Sequence, residues 1–413
     1  MHKPKKGGLQ AFFNRLRLPE FFDRDMTLLT FSMFFRRIDM GFLQVVRSIY
    51  FALLGFSPVE IGLLLSFATF ISAVHHILFG YLSDRYGRKP FLVLGSVFAT
   101  ARLVIFATSS DFWMLALGQG IGAMGEGAGA GQPVVSGYIT DKTEIRHRAS
   151  VFSTFAVTNA LATTVGSLMA GLPAIFQRSY SFDVIGAHSV LFWIGALGNI
   201  ISLVILLMLR DVKSIHVEDN SEEAPRKRSW GVIMRFSLVR STSGLGQGLI
   251  FSLMPLYFFI NFGLGGEFLG PIYAGARFIS MFSYSLIPRL VERFGDVQTL
   301  VASRLITAVL TVGFALSTQQ PVSVALLIVI RVVMSFSMPI RQVFATGIVS
   351  PEETATAIGV SNFARMGLRT VAPTAAGYMF EAVSLASPFL AGSAFLVANA
   401  LLYRSFFQVK AID

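Results

Sequence analysis

The chain has 413 residues, of which 54% are hydrophobic and only 14% are charged. Soluble proteins carry charge on about a quarter of their residues, so this composition excludes an ordinary soluble fold and indicates that lipid surrounds most of the chain. The net charge of +11 is divided among short loops, which argues against a nucleic-acid partner, and the absence of cysteine excludes disulfides and thiolate metal sites.

The N-terminal segment, residues 1–25, is basic, and no small-residue cleavage site follows the first apolar run. It therefore predicts a retained cytoplasmic tail and not a signal peptide.

Twelve apolar stretches follow, and each is long enough to cross a bilayer as a helix of about 20 residues. We predict membrane spans at about 26–54, 59–80, 91–108, 112–140, 149–176, 187–209, 230–262, 267–288, 297–317, 321–348, 354–381 and 384–407. The long polar segment 211–229 separates the first six spans from the last six. The predicted parts are thus a tail (1–25), a six-helix bundle (26–210), a cytoplasmic linker (211–229), and a second six-helix bundle with a short tail (230–413).

The distribution of Lys and Arg predicts the orientation. Outside the predicted spans, every basic residue except Arg178 lies in the N-terminal tail, the even-numbered loops, the linker or the C-terminus. Short cytoplasmic loops carry such an excess, so we expect a multi-pass protein of the inner or plasma membrane with both termini in the cytoplasm.

The two halves repeat. Asp-Arg-Tyr-Gly at 84–87 follows the second span, and Glu-Arg-Phe-Gly at 292–295 follows the eighth, an offset of 292 − 84 = 208. Ala-Gly at 170–171 in the fifth span matches Ala-Gly at 376–377 in the eleventh, an offset of 206. Repeats of this length predict two six-helix bundles of one design.

The loop after the second span carries a specific resemblance. Residues 80–90 read Gly-Tyr-Leu-Ser-Asp-Arg-Tyr-Gly-Arg-Lys-Pro, which resembles the signature loop of the major facilitator superfamily (MFS), Gly-x-Leu-Ala/Ser-Asp-Arg-x-Gly-Arg-Lys. The likeness covers about residues 26–407. It implies an all-α membrane protein with the MFS fold, two pseudo-symmetric six-helix bundles, and secondary transport of a small solute bound between them by alternating access.

The resemblance also implies a gate at the cytoplasmic side, where this loop latches the two bundles together in the outward-open state. A plain anchor to anionic lipid is an open alternative for its basic residues. The implied gate residues are Gly80, Asp84, Arg85, Gly87, Arg88 and Lys89, with Glu292, Arg293 and Gly295 in the second half.

Two departures from family patterns concern the substrate. In the fourth span, Ala116 stands where the family's Arg-x-x-Gln-Gly-x-Gly pattern has arginine. The fifth span has Gly166 and Gly171 but lacks the Gly-Pro pair typical of drug–proton antiporters. Both departures count against a standard multidrug efflux role and leave the fold prediction untouched.

Arginines are unusually frequent inside the predicted spans. A charged side chain at the membrane centre costs about 2.5–3.5 kcal/mol on insertion scales, so these arginines must face water, each other or a partner. Three of them, Arg235, Arg304 and Arg341, lie near a cytoplasmic end and are expected to extend to the membrane surface. Further arginines inside the spans are Arg36, Arg37, Arg47, Arg102, Arg240, Arg277, Arg331, Arg365 and Arg369.

Acidic residues inside the spans are scarce: Asp39, Glu126 and Glu381 are the main candidates. Asp39 can pair with Arg36 three positions earlier on α-helical spacing. Glu126 lies between two glycines, where a neighbour can approach closely. We predict Asp39 and Glu126 as proton-coupling residues, with a purely structural pairing as the open alternative for each.

In the MFS fold, spans one, four, seven and ten line the central cavity. That placement predicts the substrate-binding residues Arg36, Arg37, Gln119, Arg240, Gln247 and Arg331. Because arginines outnumber carboxylates there, the sequence favours an anionic substrate. With Asp39 and Glu126 as proton carriers, it favours proton-coupled symport or antiport.

An alternative within transporters is a proton antiporter that exports drugs or other amphiphiles, which the 40 phenylalanines favour. No catalytic motif favours an enzyme, and His75 and His76 lack a third ligand at suitable spacing for a metal. The expected partners are a small-molecule substrate, protons and the lipid bilayer, with no nucleic acid, no cofactor and a monomeric protein.

Overall fold

A computed structural model of the chain describes residues 23–126, 133–210, 230–283, 287–348 and 353–407, and within these ranges the regular structure is α-helical. The predicted linker and most of the predicted tail lie outside them. The helices are α1 Arg24–Leu53, α2 Pro58–Tyr86, α3 Arg88–Thr108, α4 Phe112–Glu126, α5 Pro133–Lys142, α6 Ile145–Met169, α7 Leu172–Tyr180, α8 Val184–Leu207, α9 Trp230–Phe251, α10 Met254–Phe262, α11 Gly266–Ser283, α12 Ile287–Phe294, α13 Asp296–Leu316, α14 Gln320–Gly347, α15 Thr354–Ala382 and α16 Ser387–Phe407.

Each predicted span corresponds to one helix or to two consecutive helices. The seventh, predicted at 230–262, consists of α9 and α10 and has the predicted ends. Its break coincides with Pro255 in the first turn of α10, where the missing N–H of proline is tolerated. At Pro373, by contrast, helix α15 continues through the proline.

Seven stretches of the described helices are long and apolar enough to cross a membrane by length and composition alone. Helix α1 is not among them, although it is 30 residues long. It carries Arg36, Arg37, Asp39 and Arg47 between its apolar residues. Because the fold places these charged residues inside the bundle, a criterion based on hydropathy does not identify this helix as a membrane span.

The repeat predicted from the sequence is visible in the backbone. Gly87 and Gly295 have positive φ angles of 94° and 77°, a conformation that favours glycine. Each glycine immediately precedes a helix of 21 residues, α3 or α13. The offset of 295 − 87 = 208 residues equals the spacing of the repeated loops, so α3 and α13 are equivalent helices of the two halves.

Helices α1 and α6 pack through glycines. A Cβ atom on Gly166 would lie 2.0 Å from the carbonyl oxygen of Ile38 and 3.0 Å from the Cα of Gly41. Two helix backbones can approach this closely only where no side chains lie between them. Glycines at the interface therefore commonly join helices in a membrane. The equivalent helices of the second half, α9 and α15, meet in the same way at Gly248 and Ala372.

We therefore expect Gly166→Ala to lower the melting temperature of the detergent-purified protein by several degrees, since overpacking costs about 1–3 kcal/mol. Gly367→Ala, on α15, is the matched control because a Cβ there meets open space. It should leave the melting temperature unchanged or raise it slightly. A Gly166→Ala protein as stable as the Gly367→Ala protein would contradict this packing.

The two halves meet near one end of the molecule. We call the end where α2 passes into α3 the motif end, and the other end, where α1 passes into α2, the opposite end. Near the opposite end, the hydroxyl of Thr374 donates to Ser66 Oγ at 2.7 Å, and Glu381 accepts the backbone N–H of Val59 at 2.7 Å. Glu381 thereby caps the first turn of α2 and joins the two halves.

A second seam, between α6 and α11, lies at the same end. A Cβ on Gly270 would come within 2.4 Å of the carbonyl oxygen of Ser167, and one on Gly266 within 2.1 Å of the carbonyl oxygen of Ala170. The two halves are thus in backbone contact along two helix pairs toward the opposite end.

Candidate functional site

Asp39 and Arg102 form a buried ion pair in the N-terminal half. Their side chains are 2% and 1% exposed, and Arg102 Nη2 on α3 lies 3.1 Å from Asp39 Oδ2 on α1. Asn199 on α8 donates to the same oxygen at 3.2 Å. Within the described residues, the second carboxylate oxygen, Asp39 Oδ1, accepts no hydrogen bond. The carboxylate therefore joins three helices through one of its oxygens.

A small cavity borders this ion pair. Its volume is about 10 Å³, close to the space that one water molecule needs. It is lined by Arg36, Arg37, Asp39, Met40, Ala99, Arg102 and Gly125. Two predicted substrate-binding residues, Arg36 and Arg37, therefore meet the predicted proton carrier around one cavity, which lies between helices of the N-terminal half.

The structure assigns partners that helical spacing did not reveal. The sequence suggested an Arg36–Asp39 pair, but the partners found for Asp39 are Arg102 and Asn199. Arg36 is buried and donates to the carbonyl oxygen of Gly125. Helix α4 ends at Glu126, whose side chain lies outside the described residues, so its predicted role in coupling stays a prediction.

The glycines of α4 explain how Arg102 fits. A Cβ on Gly122 would lie 2.1 Å from Arg102 Cδ, and one on Gly125 would lie 2.8 Å from the carbonyl oxygen of Gly95. The bare face of α4 therefore admits the arginine side chain and the backbone of α3. The close neighbour predicted beside Glu126 is, at Gly125, the backbone of α3, and Gly122 leaves room for Arg102.

Gln119 lies fully buried inside the N-terminal half, where its side-chain oxygen accepts a hydrogen bond from Arg47 Nη1 at 3.3 Å. Its predicted contact with a substrate stays a prediction.

Three predicted substrate-binding residues of the C-terminal half are partly exposed. Arg240 donates to Asn362 Oδ1 at 2.6 Å, and Gln247 donates to Ser243 Oγ at 2.6 Å. The Arg331 guanidinium lies 4.0 Å from the ring centroid of Tyr273, a cation–π contact. Both arginines therefore have neutral partners.

The prediction that Arg304 extends to the membrane surface is wrong. Its side chain is 0% exposed, and Nη1 lies 3.1 Å from the sulfur of Met334 on α14. Sequence position shows how deep a residue lies in the membrane, but it does not show whether the helix turns that residue inward. Arg235 is exposed as predicted, while Arg341 is partly buried and donates to the carbonyl oxygen of Ser337.

The signature loop is organised around Arg88, which is nearly buried. Arg88 forms ion pairs with Asp84 and with Asp141, the latter at 3.2 Å, and donates to Ser83 Oγ at 3.0 Å. A Cβ on Gly137 would lie 2.3 Å from Arg88 Cζ, so glycine is needed where α5 passes the guanidinium. Arg88 thereby ties α2, α3 and α5 together.

The other basic residues of the loop make contacts within the same half. Lys89 donates to the carbonyl oxygen of Leu207 at 2.9 Å, and the exposed Arg85 lies over the ring of Tyr86. In the second half, the exposed Arg293 lies over the ring of Phe294 in the same way. The latch that the resemblance implies, which would join the two halves, therefore stays a prediction.

The sequence of this chain matches a known protein family over most of its length. The family model described as Major Facilitator Superfamily matches residues 29–373, which is most of the chain. The chain belongs to the major facilitator superfamily. Because the members of this family are transporters, this facilitator is a multi-pass membrane transporter of small molecules and not an enzyme.

Among its relatives, the uncharacterized membrane protein YJR124C of Saccharomyces cerevisiae is 20% identical over 94% of this chain and 95% of its own length. The tetracycline resistance protein, class B, of Escherichia coli is 29% identical over 39% of this chain and 37% of its own length.

Two solved structures show the same fold over nearly the whole chain. A D-xylose–proton symporter has a TM-score of 0.74 and 17% identity, covering 92% of this chain and 97% of its own. A bacterial homologue of the human lysosomal transporter Spinster has a TM-score of 0.73 and 17% identity, covering 94% and 97%. The predicted all-α fold of two six-helix bundles is thereby confirmed.

Proposed function

We propose that this facilitator is a secondary transporter of a small organic anion, with Asp39 as the residue that couples transport to protons. The observation that carries the proposal is the unbalanced positive charge of the C-terminal half. Arg240 and Arg331 are held by an amide and an aromatic ring, and neither forms an ion pair with a carboxylate in the described part of the chain.

A guanidinium inside a bundle is costly unless an anion balances its charge. The Tyr273 ring offsets part of this cost for Arg331, since a desolvated cation–π contact contributes about 2 kcal/mol. A carboxylate or phosphate group offers more, because it accepts paired hydrogen bonds from the planar guanidinium. An anionic solute is therefore the ligand that these two arginines suit best.

The buried pair in the N-terminal half supports proton coupling. Asp39 Oδ1 has no hydrogen-bond partner in the described residues, and the carboxylate lines the adjacent small cavity. A proton placed on this oxygen would neutralise Asp39 and weaken its attraction for Arg102. The proton would thus change the packing of α1 against α3, which gives it a means to act on a conformational equilibrium.

The contacts between the halves support a transport state that is closed at the opposite end. In the alternating access of the family, such a state is open toward the motif end. The excess of basic residues at the motif end favours the cytoplasmic side for it, with both termini in the cytoplasm.

A thermal-shift screen of the purified protein tests the substrate class. We expect mono- and dicarboxylates or phosphate esters to raise the melting temperature in a saturable way, because a ligand that binds the folded state stabilises it. Arg331→Gln should reduce this shift, whereas Arg235→Gln should preserve it, since Arg235 is exposed on the outside of α9.

The same screen distinguishes this proposal from the competing hypothesis of drug efflux, which the tetracycline resistance relative favours. Stabilisation by the tetraphenylphosphonium cation, together with no response to any anion, would contradict the proposal and support an exporter of cationic amphiphiles.

A further inference from the structure

Four arginines from four helices come together in the C-terminal half toward the motif end. We call Arg240 of α9, Arg304 of α13, Arg341 of α14 and Arg365 of α15 the C-terminal arginine cluster. The charge of Arg341 acts repulsively on each of the other three, and the charge of Arg240 acts on Arg365 as well. These four cations therefore share one electrostatic environment.

No carboxylate in the described part of the chain forms an ion pair with any of the four. Arg240 binds the amide of Asn362, Arg304 meets the sulfur of Met334, and Arg341 donates to a backbone carbonyl of its own helix. Leaving a buried charge unbalanced strongly destabilises a protein. Neutral partners alone do not offset four such charges.

Several hydrogen-bond donors of the cluster are buried and unused. Among the described residues, Nε and Nη2 of Arg304, which is 0% exposed, have no acceptor, and neither do the Nε atoms of Arg240 and Arg365. The hydroxyl of Tyr403, which is 1% exposed, has no partner there either and lies in the field of Arg341, Arg304 and Arg240. Buried donors in native proteins are normally satisfied, so this set indicates a missing acceptor.

Aromatic rings lie beside the cluster. The rings of Phe236 and Phe344 are 6.0 Å apart, those of Phe344 and Tyr403 are also 6.0 Å apart, and the Arg240 guanidinium lies 5.6 Å from the Phe236 ring. Arg240 and Arg365, by contrast, are partly exposed. The cluster therefore has aromatic neighbours as well as members that are partly accessible, and a low dielectric strengthens any charge interaction formed there.

The fold itself does not require a cation at this position. With the offset of 208 residues between α3 and α13, Ser96 is the residue of the N-terminal half equivalent to Arg304. Ser96 is buried and lies 3.4 Å from the hydroxyl of Ser202. The same helix position is thus occupied by a serine in one half and, in the other, by an arginine that forms no ion pair within the described ranges.

We propose that the C-terminal arginine cluster is a binding site for an oxyanion of the phosphate type, either a free ion or the phosphate group of a larger solute. Planar guanidinium groups match the oxygen geometry of such an ion, and the Tyr403 hydroxyl adds a neutral donor. This inference rests in part on the proposed function, because Arg240 also belongs to the proposed substrate site. The variants separate the two proposals: Arg331→Gln tests the substrate site, whereas Arg304→Ser and Tyr403→Phe test the cluster.

The test is a thermal melt of the detergent-purified full chain in inorganic phosphate, in glycerol phosphate and in chloride, at matched ionic strength. We expect phosphate to raise the melting temperature of the wild type saturably above that in chloride, by about 5 °C at a hundredfold excess over its Kd. A response to inorganic phosphate alone indicates a free-ion site, and a stronger response to glycerol phosphate indicates the group of a larger solute.

Arg304→Ser introduces the residue that the other half has at this position. In chloride it should have a higher melting temperature than the wild type, because it removes an unbalanced buried charge. It should also lose most of the phosphate response. A merely structural arginine would give a lower melting temperature in both media. Tyr403→Phe should weaken apparent phosphate affinity without unfolding the protein. Arg235→Gln is the control and should respond as the wild type does.

Equal melting of the wild type in phosphate, glycerol phosphate and chloride would overturn the proposal. So would an undiminished phosphate response in both Arg304→Ser and Tyr403→Phe.

Discussion

Asp39→Asn is expected to lower the melting temperature of this facilitator by about 10 °C. The substitution keeps the shape of the side chain but leaves Arg102 buried at 1% exposure without its counter-charge. Removing one partner of a buried ion pair typically costs about 3–5 kcal/mol, which corresponds to a shift of that size in a domain of about 200 residues. Differential scanning fluorimetry in detergent measures the effect.

A second variant separates stability from coupling. In Asp39→Asn combined with Arg102→Met, both charges are removed, and replacing a whole buried pair by neutral groups of similar volume is close to neutral for stability. We expect the double variant to melt within a few degrees of the wild type while losing proton coupling.

The matched control is Glu144→Gln. Glu144 Oε2 lies 2.7 Å from Arg146 Nε, but both side chains are largely exposed. Ion pairs of this kind contribute about 0–1 kcal/mol to the free energy of unfolding. If the Asp39→Asn protein has the same melting temperature as the Glu144→Gln protein, the Asp39–Arg102 pair is not the buried linkage described above.

Cross-linking the two halves near the opposite end is expected to stop transport. The hydroxyls of Ser66 and Thr374 are 2.7 Å apart across the seam between α2 and α15, so cysteines at these positions lie within reach of a disulfide. The chain has no cysteine of its own, so only the introduced pair can react. Uptake into proteoliposomes should fall to background after oxidation and return after reduction.

The control for this experiment places a disulfide within one half. Ser32 and Ser202 lie 2.8 Å apart on α1 and α8, inside the N-terminal bundle, so a cross-link there should leave transport unchanged. Continued transport by an oxidised Ser66→Cys/Thr374→Cys protein, with the cross-link verified by mass spectrometry, would show that this seam does not open during the cycle.

The fold could be predicted from the sequence because its determinants are local. Apolar runs of span length, the loop at 80–90 and its degenerate copy at 292–295 are each readable within a few residues. The positive φ angles of Gly87 and Gly295 show the physical reason for the repeated glycine. Glu381 was recognised as an unusual charge, but its position beside the first turn of α2 required the structure.

The partners inside the bundle could not be predicted in the same way. Helical spacing reveals neighbours three or four positions apart, whereas Arg102 lies 63 residues from Asp39 and Asn199 lies 160 residues from it. For the same reason the depth of Arg304 in the membrane could be predicted, whereas the face of α13 on which it lies could not. The glycine beside Glu126, Gly125, indicated a close neighbour, and that neighbour is the backbone of α3.

The measurement that tests the account most directly is proton flux into proteoliposomes loaded with a pH-sensitive dye. External mono- and dicarboxylates and phosphate esters are added one at a time, with tetraphenylphosphonium as the cationic comparison and protein-free liposomes as the blank. We predict a change of lumen pH with at least one anion, none with the cation, and loss of the response in the Asp39→Asn/Arg102→Met protein. A response to tetraphenylphosphonium alone, or an anion response that survives in that double variant, would contradict the account.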